Sequence, residues 1–159
     1  MKKVLFAAIL LVGLSTVASA QTSKGTWLLG GGAGYSSFAG LNSWSITPSI
    51  GGFIKDNLAI GGELNLMGFD GETSTTVGAY VKPYFGGSET NKWFAKGGIG
   101  TTSVGGGDSK FGYGVGLGNA SFLNKSIALE VSANYTKIAD YSEGQFDLKV
   151  GFQIHFGRK

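Results

Sequence analysis

The chain has 159 residues, with 29 glycines, 2 prolines and no cysteine, and 13 lysines and arginines stand against 10 aspartates and glutamates. The lack of cysteine excludes disulfides, thiolate metal sites and a thiol nucleophile, and so much glycine beside so little proline fits neither collagen nor a disordered linker. Nor does the positive balance point to nucleic acid, because Lys2 and Lys3 belong to a leader and the remaining 11 against 10 includes no basic block.

In that leader Lys2 and Lys3 precede an apolar run over residues 4–14, too short to cross a bilayer as a helix, and Ala18-Ser19-Ala20 forms a small-x-small cleavage site. Residues 1–20 therefore read as a cleaved secretory signal peptide, leaving one domain over residues 21–159 that starts at Gln21. No cysteine follows the leader, so a lipoprotein anchor is not expected.

Eight segments with a period of two follow, over residues 25–37, 43–54, 58–69, 75–85, 92–102, 110–122, 126–136 and 144–156. Each is longer than the five or six residues usual in soluble strands and close to the nine to eleven of a tilted membrane-crossing strand. None carries an apolar period of 3.6, so helices are not expected. One face of each is apolar: Trp27, Leu29 and Tyr35, then Trp44, Ile46 and Ile50, then Ile60 and Leu64, Val77 and Val81, Trp93 and Ile99, Tyr113 and Val115, Leu129 and Val131, and the even-numbered positions from Phe146 to Phe156. The alternate positions hold Ser43, Ser45, Thr47, Glu63, Asn65, Lys82, Lys96, Glu130, Asn134, Asp147, Lys149, Gln153 and His155.

Three features predict that the apolar face points outward. Trp27, Phe85, Trp93 and Phe156 lie at one end of their strands and Tyr35, Trp44, Tyr113, Tyr135 and Phe146 at or toward the other, which is the pattern of two aromatic girdles at membrane interfaces. The polar face carries three acids, Glu63, Glu130 and Asp147, and three bases, Lys82, Lys96 and Lys149. Enclosed charge requires such a balance, whereas a solvated surface does not. Folding each hairpin about the middle of its connection sets Glu63 opposite Lys82, Lys82 beside Lys96, and Glu130 opposite Lys149. Finally, Gly112, Gly114, Gly116 and Gly118 recur inward on the sixth strand, where they are expected to make room for Lys82, Lys96, Tyr80 and Tyr84.

The connections fall into two sets: 55–57, 86–91 and 123–125 on the side of both termini, and 38–42, 70–74, 103–109 and 137–143 on the other. An even strand count puts both mature termini in the periplasm.

The stretches "TPSIGGFIKDNLAIGGEL", "VGAYVKPYFGG", "KWFAKGGIGT", "GYGVGLGNASFLNKSIALEVSANY" and "FDLKVGFQIHF" resemble the small bacterial outer-membrane β-barrel proteins of the OmpX and OmpA-barrel type over the whole mature chain. The resemblance implies an all-β fold, an eight-stranded antiparallel up-and-down transmembrane β-barrel, in the bacterial outer membrane. It also implies a monomer whose partners are outer-membrane lipid, lipopolysaccharide and, during biogenesis, the barrel assembly machinery. Two departures stand out. Such barrels usually end on an aromatic residue, whereas Phe156 is followed by Gly157-Arg158-Lys159; and Pro48 and Pro83 lie inside strands, where each removes a ladder donor and predicts a bulge or an unpaired acceptor.

A search for chemistry finds little. "GYGVGLG" is strict alternation with Leu117 where a dinucleotide loop needs its third glycine. His155 is the sole histidine, so an imidazole metal site is excluded, and at the periplasmic end it reads as a polar plug. Glu63 and Glu130 could pair for hydrolysis, but their lysine neighbours favour structural salt bridges. No catalytic residue, metal or cofactor is expected. The chain reads as a non-enzymatic barrel with a filled lumen and a structural or surface-contact role. The alternatives are a small passive pore, a lipid-modifying enzyme using Ser36 or Ser37 at the outer rim, and an adhesin limited by short outer loops.

Overall fold

The computed structural model describes residues 21–38, 41–69, 71–139 and 143–157. The leader, Arg158 and Lys159 lie outside the described residues, as do the side chains of Ser36 and Ser37. Eight strands follow one another: β1 (Trp27–Phe38), β2 (Leu41–Lys55), β3 (Leu58–Phe69), β4 (Glu72–Phe85), β5 (Asn91–Val104), β6 (Lys110–Phe122), β7 (Ile127–Ile138) and β8 (Gln145–Phe156). Each pairs antiparallel with its sequence neighbours, and β1 also pairs with β8, with Trp27 opposite Phe156, so the sheet closes on itself. Closure removes every sheet edge, which is what allows strands to stand in lipid.

Strand direction and face follow from alternation. Val115 is 60% exposed and Phe152 56%, while Lys82 is 4% and His155 3%. The protein is inside-out relative to a water-soluble fold: its apolar face is the exterior.

The hydrogen-bonded ladders run further than the alternation that predicts them. The β3–β4 pairing continues to Phe69 opposite Glu72, so β4 starts three residues before the expected 75, and β7 runs on to Ile138. Alternation marks only the stretch that must present an apolar face, whereas Thr73 and Ser74 pair their backbones just as well beyond it. The connections at that end are correspondingly shorter than expected. At the end holding the termini, β2 and β3 join through Asp56 and Asn57, and Asn57 adopts a positive φ of 61° that asparagine tolerates. Gly86 and Gly87, at φ 55° and 79°, begin the β4–β5 connection in the same region of backbone space.

Neither proline produces a bulge. Pro48 pairs with Gly31 on β1, and the β2–β3 ladder skips from Ile46–Leu66 to Ser49–Glu63 with register intact. Pro83 likewise pairs with Leu58, while β4–β5 skips from Val81–Gly97 to Tyr84–Phe94. Each proline therefore leaves a gap in one ladder. The register shift in β2–β3 falls instead between Phe53 and Lys55, beside the tight turn.

Candidate functional site: the lumen

Eight strands enclose a space only wide enough for side chains, so charges on opposite walls meet across it. Lys82 on β4 reaches Glu130 on β7, with Nζ 2.7 Å from Oε1 and 2.6 Å from Oε2. The Tyr84 hydroxyl donates to the same carboxylate at 3.0 Å. Lys96 on β5 pairs with Glu63 on β3, and its ammonium lies 5.0 Å from the Tyr80 ring centre. Along β8, Lys149 stands 3.7 Å from Asp147, which also receives a 3.4 Å hydrogen bond from Asn134.

The six charges thus gather inside the barrel with partners different from those obtained by folding hairpins about their midpoints. In the ladders Glu63 faces Gly78, Lys82 faces Ala59, and Glu130 faces Gly151. Strand tilt sets residues of equal height at different register positions, so Lys82–Glu130 and Lys96–Glu63 form between strands that are not neighbours, while Lys149–Asp147 forms within β8.

The glycines on β6 also serve other side chains than expected. A Cβ at Gly118 would strike the Phe94 ring, and one at Gly116 would strike the Asn134 side chain. Tyr80 finds its room against Gly51 and Gly61, where an added Cβ would come within 2.6 Å of the phenol.

Below the charged layer, toward the termini, the lumen is apolar. Leu28, Phe53, Ala59, Tyr84, Phe94, Ala120, Phe122 and Ala128 form one buried cluster. Its rings touch in sequence, Phe53 to Tyr84 at 5.5 Å and Tyr84 to Phe94 at 5.7 Å between centroids. Lys82 is held 4.1 Å from the Phe94 ring centre, so the cluster also forms the floor of the charged layer. Phe53, Phe94, Phe122 and Leu28 are missing from both faces set out from the sequence, although each is in phase with the polar residues of its strand, and that phase is the signal that would have found them.

His155 sits in this plug, against Phe122 at 5.2 Å and Phe53 at 5.9 Å. Its Nδ1 lies 2.7 Å from the Gln21 carbonyl oxygen, which can only accept, so Nδ1 carries the proton. Residues 21–26 form a strap across the mouth: Asn57 N–H donates to the Thr22 carbonyl at 2.7 Å, Thr22 Oγ1 lies 2.6 Å from Asn57 Oδ1, and Gln21 Nε2 donates to the Asn124 carbonyl at 2.9 Å. This strap has no periodicity, and its last two residues, Gly25 and Thr26, fall in the segment expected as strand, whereas β1 starts at Trp27.

Above the layer the lumen is polar and less filled. A cavity of about 60 Å³ lies at the layer itself, lined by Lys82, Glu130 and Phe94, and shares Glu63, Lys96, Asn134 and Lys149 with an outer one of about 90 Å³ walled by Gly98, Gly100, Gly112 and Gly114. Spaces of this size hold water molecules. The nearby hydroxyls satisfy one another, as in the 2.8 Å contact between Thr76 and Thr102 and the 2.9 Å bond from Thr47 to Asn65.

On the exterior the aromatics come in cross-strand pairs. Trp27 faces Phe156 and Phe85 faces Trp93 at the end with the termini; Tyr35 faces Trp44 and Tyr135 faces Phe146 at the other, with Tyr113 opposite Ile99. Phe111, 52% exposed, belongs to the same outward series on β6 and was passed over although its odd number is in phase with Tyr113.

A closed antiparallel barrel of eight strands with an apolar exterior and a charge-paired interior defines an outer-membrane β-barrel protein. The chain belongs to the family of the outer membrane protein beta-barrel domain, which matches residues 6–153. Its place is therefore the bacterial outer membrane. Neisserial surface protein A superposes with a TM-score of 0.69 at 17% identity, covering 84% of this chain and 98% of that one. The N-terminal barrel of Pseudomonas aeruginosa OprF gives 0.66 at 14%, covering 84% and 98%. The outer membrane enzyme PagL gives 0.53 at 16%, covering 80% and 98%. These likenesses concern the fold. No curated protein sequence matches the chain.

Proposed function

We propose that this protein is a non-enzymatic, non-conducting integral barrel that contributes to envelope structure or surface contacts, with both termini in the periplasm. The observation that carries this reading is the plug: Phe53, Tyr84, Phe94, Phe122 and His155 fill the lumen below Lys82 and Glu130, and residues 21–26 cross the mouth beneath them. The non-enzymatic part is supported by the setting of the only histidine, packed between two phenylalanines at the end opposite Ser36 and Ser37.

Single-channel recording of the purified barrel in a planar bilayer tests the first part, with a silent baseline expected. Steady conductance would replace this reading with a passive pore. Orientation is tested by tags in intact cells: one inserted after Glu72 is expected to be labelled and one after Ser88 is not, and the reverse result would invert the barrel.

A further inference from the structure

We infer that the end of the barrel carrying the termini is a basic rim that selects anionic phospholipid headgroups. Inside the lumen each lysine stands beside a carboxylate, Lys82 with Glu130, Lys96 with Glu63 and Lys149 with Asp147. The lysines of this rim are arranged differently. Lys24, Lys55 and Lys125 are exposed, and none of the three has an ion pair among the described residues. Lys92 donates to the neutral side-chain oxygen of Asn57 at 3.3 Å and has no ion pair among the described residues.

Two acids, Asp56 and Glu89, share the rim with these four lysines. At the opposite rim the described charges are Glu72, Asp108 and Glu143 against Lys110 and Lys137, so the sign reverses from one end to the other. The sequence extends the contrast, since Arg158 and Lys159 follow β8 while Asp70 and Asp140 occur between the strands that join at the far end.

Height favours lipid over a protein partner. Lys92 directly precedes Trp93, Lys55 follows Ile54, and Lys24 lies three residues before Trp27, so these lysines branch from the chain at or just beyond the level of the aromatic pairs Trp27–Phe156 and Phe85–Trp93. That is the level of the headgroups when such pairs mark the interface. Three of the four gather about the β2–β3 turn, where the Lys24 backbone N–H donates to Asp56 Oδ1 at 2.8 Å and Lys92 Nζ donates to Asn57 Oδ1 at 3.3 Å beside Lys55, while Lys125 stands apart on the β6–β7 connection. Unpaired lysines at a membrane surface attract anionic headgroups through a field that salt screens.

The chain's three tryptophans make this directly measurable. In a Trp44→Phe barrel, Trp27 and Trp93 report the basic rim; in a Trp27→Phe/Trp93→Phe barrel, Trp44 reports the other. Each is reconstituted in phosphatidylcholine vesicles doped with brominated phosphatidylglycerol or, separately, brominated phosphatidylcholine. At the basic rim, phosphatidylglycerol is expected to show a several-fold higher relative association by quenching. The preference should fall toward unity at high salt and in the Lys24→Gln/Lys55→Gln/Lys92→Gln/Lys125→Gln barrel, and it should be missing at Trp44. Equal quenching by both lipids at Trp27 and Trp93 would overturn the inference and turn attention to an acidic protein partner; so would a preference that survives salt. The salt titration needs no lysine variant to fold. A conducting lumen would leave this result untouched, so failure here is distinct from failure of the closed-barrel reading.

Discussion

The two halves of the lumen are walled by the same eight strands yet filled in opposite ways. Toward the termini, Phe53, Phe94 and Phe122 cluster with small wall residues such as Ala59, Ala120 and Ala128, and the polar groups among them, Tyr84 and His155, bond outward to Glu130 and Gln21. Beyond Lys82 and Glu130 the wall is glycine and threonine, the contacts are hydrogen bonds, and water-sized space remains. The barrel is therefore a blind cup, stabilised at its base by packing and along its upper wall by polar satisfaction. Wall and filler are chosen together: where the filler is a ring the wall position is Gly118 or Ala120, and where it is a hydroxyl the wall can be almost anything small.

The boundary between the halves is where the largest effect is expected. Glu130→Gln leaves the Lys82 ammonium, 4% exposed and pressed to the Phe94 ring, without its carboxylate. Breaking one side of a buried pair costs about 3 to 5 kcal/mol, read as a lower urea midpoint in vesicles. Glu63→Gln should cost less, about 1 to 2 kcal/mol, because the Lys96 side chain is 23% exposed and opens on the wet cavity, where screening weakens the pair. Lys82→Met combined with Glu130→Gln should recover much of the first loss, since no charge then lacks a partner. Equal costs for Glu130→Gln and Glu63→Gln would erase the distinction between a dry base and a wet upper half.

A smaller effect separates the walls themselves. At Gly118 a methyl group would meet the Phe94 ring and come within 2.6 Å of the Val131 carbonyl oxygen and 2.8 Å of Ser132 Cβ. Phe94 cannot retreat, because Tyr84 lies behind it. Gly118→Ala is expected to lower stability by about 1 to 3 kcal/mol through overpacking. Gly98→Ala, whose closest neighbours are the Ala79 carbonyl oxygen at 3.2 Å and Tyr80 Cβ at 3.8 Å, should stay within about 0.5 kcal/mol of the parent, the tight contact being offset by alanine's lower entropy loss. Comparable losses at both glycines would show that the upper wall is as tightly filled as the base.

Much of this was legible in the sequence because alternation is imposed residue by residue. Every outward tryptophan and inward lysine follows from parity alone, and the eight strands and closed sheet follow from their number and length. The partners were not legible. Folding β3 and β4 about residues 70–74 sets Glu63 against Lys82, but β4 begins at Glu72 and the ladder slips four places, to Gly78. Folding β7 and β8 misses by two places, since Glu130 faces Gly151 rather than Lys149. Local pattern contains neither those slips nor the tilt that brings β4 and β7 to one height. The strap over residues 21–26 was hidden for a related reason: its bonds go to Phe53, Asn57, Asn124 and His155, all distant in sequence, and nothing repeats within it.

The smallest perturbation tests access rather than stability. Thr136 and Ala128 both lie inward on β7, eight residues apart; Thr136 borders the outer cavity, and Ala128 is fully buried in the plug. The chain has no cysteine, so Thr136→Cys and Ala128→Cys each introduce a single thiol into an otherwise silent background. Removing the threonine hydroxyl breaks no hydrogen bond seen at that position, and cysteine is close to threonine in size, so stability should change by no more than about 0.5 kcal/mol, as for most such substitutions. The Thr136→Cys barrel in detergent is expected to react readily with a small maleimide, while the Ala128→Cys barrel reacts only after unfolding. Rapid labelling at both positions would mean that solvent reaches through the base, and the cup would then be a channel. Protection at both would mean that the upper half is as dry as the lower, and the polar contacts there would have to be revalued as buried ones.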